Sequence, residues 1–165
     1  MAVDPKDFTS ALALAANGVS IVTTDGSSGK AGLTVSSMCS VCAEPSVMLA
    51  CVNASNKFCD IADANGQFAI NLLSTAHIEL SGVFAGLADD READRFITGT
   101  WRKLSTGSPV LADALVALDC ELLSANTHGT HRIYVGKVVS LLSNEATALV
   151  YTARQYANPV PLTGR

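Results

Sequence analysis

The chain is poor in charge. Of its 165 residues only 16% are Asp, Glu, Lys or Arg, against 48% apolar, where an average soluble domain carries about a quarter charged. So thin a charged surface implies that part of it is covered, most simply by a second copy in a symmetric homodimer. The net charge is −4 and no Lys/Arg cluster occurs, which argues against nucleic acid or an anionic membrane as main partner. No uncharged apolar run reaches the roughly 18 residues of a membrane span. The opening MAVDPKDF has no basic segment followed by an apolar one, so no secretory leader is expected and the chain reads as cytoplasmic. The length fits one domain over 1–165.

Familiar catalytic signatures are absent as well. There is no P-loop, and no GxGxxG follows a first strand, so a Rossmann dinucleotide unit is not expected. No GxSxG elbow occurs. His77, His128 and His131 lack a third ligand at zinc spacing, so no metal is expected. The cysteines, Cys39, Cys42, Cys51, Cys59 and Cys120, are odd in number, and nothing suggests a disulfide framework. Cys39 and Cys42 have CxxC spacing, but residues i and i+3 of a strand face opposite sides. A redox pair belongs at a helix start instead. The thiols therefore read as buried structural groups.

What is present is a succession of short strands. Asp4-Pro5 caps and opens a helix carrying Phe8, Leu12 and Ala15 on one face, as far as Asn17-Gly18. Gly18 to Thr24 is β-branched, and the turn Asp25–Gly29 sends the next strand back antiparallel. That strand reaches Val41, turns at Glu44-Pro45 and resumes over Ser46 to Val52. Asn56 can cap a short helix ending at Asn65-Gly66, followed by a strand over Gln67–Leu73. Thr75 can cap a helix with Leu80, Val83 and Phe84 on one face. Gly86–Gly107 is an excursion of charge and glycine, in which Trp101 packs. Leu115–Ser124 alternates, with Val116, Leu118, Cys120 and Leu122 one way and Asp119 and Glu121 the other. Thr127–Thr130 breaks that strand; His131–Leu142 and Ala148–Thr152 supply the last ones. The expected class is mainly β and antiparallel, a small barrel with peripheral helices.

The chemistry concentrates in Gly32–Asn56, GLTVSSMCSVCAEPSVMLACVNASN. Ser55 and Asn56 precede a helix carrying Lys57, so a hydroxyl, an amide, free N–H groups and a cation meet at a helix start, which is an anion site. Asn56 can equally serve only as the cap. Thr34, Ser36 and Ser37 either offer donors to a polar ring edge or line a solvated strand face.

This stretch resembles the flavin-binding core of the short-chain flavin reductases, the small reductase components of two-component flavin monooxygenases. The likeness extends to Phe84-Ala85-Gly86, Asp94-Arg95-Phe96 and Gly129-Thr-His131-Arg-Ile-Tyr-Val-Gly136, in order, from Phe8 to about Pro159. The reductase component of 4-hydroxyphenylacetate 3-monooxygenase is similar in pattern, as is a corrinoid reductase of cobalamin biosynthesis. The resemblance implies a homodimeric FMN-binding split β-barrel of Greek-key, antiparallel type. It implies hydride transfer from NADH or NADPH to FMN or FAD, and supply of diffusible reduced flavin to a separate monooxygenase. Flavin-dependent reduction of a cob(II) corrinoid and a non-catalytic flavin-binding or storage module are the alternatives. On that pattern Gly32, Leu33, Thr34, Val35, Ser36 and Ser37 line the isoalloxazine and ribityl chain. Cys51, Val52 and Asn53 lie on the adjoining strand. Ser55, Asn56 and Arg95 hold the phosphate, Phe84, Ala85, Gly86 and Tyr156 contribute walls, and His131 flanks the nicotinamide as the catalytic candidate.

Overall fold

The computed structural model describes residues 2–87 and 94–162; the part of the charged excursion at 88–93 lies outside them. Helix α1 (Pro5–Leu12) has Asp4 as its cap, the side chain accepting from the Lys6 N–H at 2.7 Å. It ends at Leu12, short of the expected Asn17, and buries none of its side chains. The strands that follow are β1 (Asn17–Gly18), β2 (Ser20–Thr24), β3 (Ala31–Val35), β4 (Met38–Ala43) and β5 (Ser46–Asn53). Helix α2 (Phe58–Asn65), β6 (Gln67–Leu72) and α3 (Ile78–Phe84) come next. The chain finishes with β7 (Trp101–Lys103), β8 (Pro109–Leu111), β9 (Val116–His128), β10 (His131–Ser143), β11 (Val150–Thr152) and β12 (Gln155–Ala157).

Seven of the strands form one antiparallel sheet in the order β3-β2-β6-β9-β10-β5-β4, with a three-stranded β1-β11-β12 sheet and a β7-β8 pair beside it. The β9–β10 hairpin runs longer than the sequence suggests. Strand β9 continues through His128, because Gly129, at φ 57°, turns the chain in two residues.

The centre of the sheet is covered on both faces. Val22, Phe68, Ile70, Cys120 and Tyr134 pack on one side with Phe58, Cys59 and Ala62 of α2. Ile21, Ala69 and Ala117 pack on the other with Leu80 and Phe84 of α3 and Val110 and Leu111 of β8. All five residues of β2 are therefore buried. The same covering explains Asp119, which sequence alternation turns outward. It does face away from Cys120, but the segment before β8 lies over it and it is fully buried. Its carboxylate accepts the Thr106 N–H at 2.8 Å and the Thr106 hydroxyl, which satisfies a group too costly to bury alone. The expected cap at Thr75 falls one residue earlier. Ser74 caps the 3-10 turn Thr75–His77 that leads into α3.

The cysteines divide. Cys59 and Cys120 are buried as expected, Cys51 is half-buried, but Cys39 and Cys42 are exposed. The correction has a topological cause: both sit on β4, the edge strand of the seven-stranded sheet. Burial pushes the Cys120 thiol up to about 12, with the nearby Asp119 carboxylate adding to the rise. The thiolate is the reactive form, so a maleimide titration of native protein should leave Cys59 and Cys120 unmodified until denaturant is added. Rapid native labelling of Cys120 would contradict this packing.

Candidate functional site

Strand β5 ends at Asn53, and the turn after it is built by that residue. Asn53 Oδ1 accepts both the Ser55 N–H at 3.0 Å and the Ser55 hydroxyl at 2.8 Å. The Asn56 N–H donates to the Asn53 carbonyl at 3.0 Å. Asn56 Oδ1 in turn accepts the Phe58 N–H at 2.9 Å, so Asn56 satisfies the first amide of α2 from one residue ahead of its N-cap, Lys57. The N–H groups of Ser55, Asn56, Phe58 and Cys59 all have internal acceptors, so the expected supply of free backbone donors is smaller than the sequence implies. An anion here meets mainly the side chains of Ser55 and Lys57 and the positive end of α2.

Facing this turn are the start of β3 and the 3-10 turn Arg95–Ile97. Asp94 caps that turn, accepting the Phe96 N–H at 3.0 Å, and bridges to Lys30 Nζ at 3.1 Å. The Phe96 N–H, then Lys30, hold the Asp94 carboxyl below its ordinary range. The Lys30 ammonium also lies 4.5 Å from the Phe96 ring centroid. Lys30 is delivered by the β2–β3 turn, which Asn65 at the far end of α2 fixes. Asn65 accepts the Ser28 N–H at 3.0 Å and donates to the Gly29 carbonyl at 3.0 Å and the Thr24 hydroxyl at 3.1 Å.

Two sequence motifs are joined here. Arg95 Nη1 donates to the Phe84 carbonyl at 3.2 Å, at the end of α3, so Asp94–Phe96 is tied to Phe84–Gly86. Phe84 is buried and packs edge-on to Phe96 at 5.1 Å, with Trp101 at 5.3 Å and 5.0 Å from the two rings. Gly32 lies directly over these rings.

Together these segments enclose an open cleft of about 560 Å³, lined by Gly32, Ser55, Asn56 and Arg95 among the sequence candidates, with Lys30, Lys57, Asp94 and Phe96. The other candidates lie outside its lining. Leu33, Val35 and Val52 turn into the core, and Phe84 stands behind Gly32. Ala85, Ser36 and Ser37 are exposed and Cys51 and Gly86 are half-buried. The Thr34 hydroxyl donates to the Ser81 carbonyl at 2.7 Å, and Tyr156 Oη is 2.6 Å from Ser81 Oγ. Because Ser81 Oγ donates to the Ile78 carbonyl at 2.8 Å, it accepts from Tyr156. His131 is exposed at the start of β10, opposite Asn53 in the β5 register, its Nδ1 3.0 Å from Thr130 Oγ1. Lys30 escaped the sequence reading, and Asp94 and Phe96 entered it only as part of the Asp94-Arg95-Phe96 motif, with no place in the site. The turn before Lys30 and the residues flanking Arg95 were the available signals.

The model of the flavin reductase like domain matches residues 12–159. The chain belongs to this family. Similar members of the flavin reductase family include the FMN reductase (NADH) RutF of Variovorax paradoxus, 39% identical over 154 residues, 92% of this chain and 84% of that one. RutF of Agrobacterium fabrum is 40% identical over 151 residues, 91% and 86% of the two chains. Among solved structures, the Streptomyces globisporus NADH:FAD oxidoreductase SgcE6 with NAD and FAD fragments superposes with TM-score 0.87 at 25% identity, covering 99% of each chain. The flavin reductase PheA2 superposes with TM-score 0.87 at 25% identity, over 96% of this chain and all of that one. The cleft suits the family's ligand class. Its volume is in the usual range of about 300–1,000 Å³ for small-molecule sites, and three cations and a serine hydroxyl suit a phosphate.

Proposed function

We propose that this chain is an NADH-dependent FMN reductase that passes reduced flavin to a separate oxygenase component. The observation carrying this reading is the cleft in which the Ser55–Lys57 turn, at the start of α2, faces Lys30, Arg95 and the Gly32 edge. Relatives of about 40% identity named as NADH-dependent FMN reductases support it.

With both bound, the cofactors supply the redox chemistry, a hydride passing from the nicotinamide to the flavin. The work of the chain is to hold the two rings in contact. In this reading Ser55, Lys57, Lys30 and Arg95 neutralise the phosphate, and Asn53 and Asn56 fix the turn that carries them. Gly32 to Ser37, with Cys51 and Val52 on the adjoining strand, give a thin edge against which a flat ring system lies. Leu33, Val35 and Val52 contribute through backbone, since their side chains are in the core. Phe84 backs Gly32, while Ala85 and Gly86 end α3 where Arg95 docks. Tyr156 pins the C-terminal hairpin to α3 through Ser81. His131 orients the nicotinamide from the neighbouring strand end. The whole chain is one domain on a split β-barrel that works as a homodimer, and exposed Val41, Leu123 and Leu141 on the β4, β9 and β10 side of the sheet support a second copy packing there.

Ser55→Ala tests the phosphate assignment. A hydrogen bond to a charged group contributes about 1.5–3 kcal/mol, but Ser55 must first give up its bond to Asn53, worth about 0.5–1.5 kcal/mol. The net loss is about 1–2 kcal/mol, so FMN affinity should fall roughly five- to thirtyfold, read by quenching of flavin fluorescence. Unchanged affinity in a folded variant would move the phosphate elsewhere. The activity itself is tested by steady-state turnover of FMN and FAD with NADH and NADPH. NADH with FMN should be productive, and no turnover in any combination would end the enzyme assignment.

A further inference from the structure

We propose that Asn65, which does not line the cleft, is a positioning residue for the flavin phosphate and acts through Lys30. The inference rests on the cleft being the flavin phosphate site, and it names what sets the spacing of two of its cationic walls. One wall is the Ser55–Lys57 turn at the start of α2. The other holds Lys30, the last residue before β3.

The β2–β3 turn has little of its own to fix it. Its Gly26-Ser-Ser-Gly29 core has glycine at both ends, the second at φ 103°, and a backbone bond from the Gly29 N–H to the Gly26 carbonyl at 3.1 Å. Segments of glycine and serine are flexible when nothing holds them. Asp25, just before, is anchored separately: Gln67 donates to its carbonyl and Lys103 bridges its carboxylate, both at 2.7 Å. From Gly26 to Gly29 the side-chain hydrogen bonds among the described residues come from Asn65. Its amide accepts the Ser28 N–H and donates to the Gly29 carbonyl and the Thr24 hydroxyl, so it spans the turn from the end of β2 to the residue before Lys30. The fit is close. A Cβ on Gly26 would stand 2.5 Å from Asn65 Oδ1.

Asn65 can set the turn because α2 is itself fixed. Phe58, Cys59 and Ala62 bury one face of the helix in the core. Gly66, at φ 68°, closes its end, its N–H donating to the Ala62 carbonyl at 3.0 Å. Asp63 takes a two-pronged bond from Arg132 of β10, Nε to Oδ1 at 3.1 Å and Nη2 to Oδ2 at 2.8 Å. A fork of this kind fixes orientation as well as distance. The eight residues of α2, at about 1.5 Å each, put its ends about 12 Å apart. The Ser55–Lys57 turn leads into one end and Asn65 holds the turn before Lys30 at the other, so one rigid helix gauges the separation of the two walls. Lys30 pairs with Asp94, but both side chains are substantially exposed, at 37% and 52%. Such a pair is weak and can be exchanged for a phosphate oxygen at little cost.

Riboflavin has the ring and ribityl chain of FMN without the phosphate, so the ratio of the two affinities reads the phosphate contacts alone. Fluorescence titration of the full chain should show FMN bound more tightly than riboflavin. Lys30→Met should lower FMN affinity roughly tenfold and Asn65→Ala roughly fivefold, with riboflavin within about twofold of the parent in both. Because Asn65 acts through Lys30, the double variant should match Lys30→Met rather than multiply the two losses. Gly26→Ala leaves Asn65 in place but drives its amide off the turn, and should reproduce the loss even where Asn65→Ala does not fold. Equal losses of FMN and riboflavin would make Asn65 a merely structural residue, and multiplied losses in the double variant would separate it from Lys30. Either overturns the proposal, as does an FMN preference that survives both Asn65→Ala and Gly26→Ala. A parent chain that binds FMN no more tightly than riboflavin would overturn the phosphate reading of the cleft, and this proposal with it.

Discussion

Gly136→Ala is expected to cost about 3 kcal/mol of folding stability, the upper part of the range for overpacking a filled core. Gly136 lies on β10 at a register shift in its pairing with β9. A Cβ there would stand 2.6 Å from Cε1 and Cζ of Phe68 and 2.8 Å from Cβ of Cys120. Neither neighbour can retreat. Phe68 is fully buried and packs edge-on to Tyr134 at 6.0 Å, and Cys120 Cβ is fixed to the β9 backbone. For a chain of this size the loss corresponds to a fall in Tm on the order of 10 °C. A melt within about 2 °C of the parent would mean that this part of the core is looser than its geometry.

Gly32→Ala is expected to act on the site as well as on the fold. Its Cβ would meet Phe84 Cε1 at 2.8 Å, Phe84 Cδ1 at 3.1 Å and Phe96 Cζ at 3.1 Å. Phe84 is buried, and Phe96 and Trp101 brace it from two sides. The strain therefore moves β3 outward, into the cleft proposed for the flavin. A cost of about 1–3 kcal/mol, carried mostly by the bound state, predicts a loss of FMN affinity approaching roughly a hundredfold. Fluorescence titration beside a thermal melt separates the two effects. Undiminished FMN affinity in the variant would remove Gly32 from the site.

Most of the strands were legible because they are β-branched and bounded by glycine, asparagine and proline, but the break at Ser36-Ser37 that sends β3 and β4 to opposite edges of the sheet was not, nor were β7, β8 and β12. Asp4-Pro5 announced α1 through a local cap that needs no tertiary partner. The Ser55-Asn56 turn was legible for the same reason: a short polar cluster between a strand and a helix has few roles open to it. Features set by long-range covering were not legible. The buried place of Asp119 depends on a segment more than ten residues away folding over β9. The exposure of Cys39 and Cys42 depends on β4 being an edge, which strand order decides and local sequence does not. Lys30 reaches the cleft only because Asn65, on a different element, holds its turn. Asn56 had two readings in the sequence; the structure has its side chain accept the first amide of α2, with Ser55 and Lys57 lining the cleft beside it.

The central claim is that this cleft holds a flavin while NADH reduces it. Mixing the protein with FMN and NADH without oxygen, and following the flavin absorption band in time, tests this directly. The account predicts bleaching at a rate that saturates with FMN, independent of its concentration at high FMN, and far faster than without protein. FMN that binds but stays oxidised, or bleaching no faster than in the protein-free control, would contradict it.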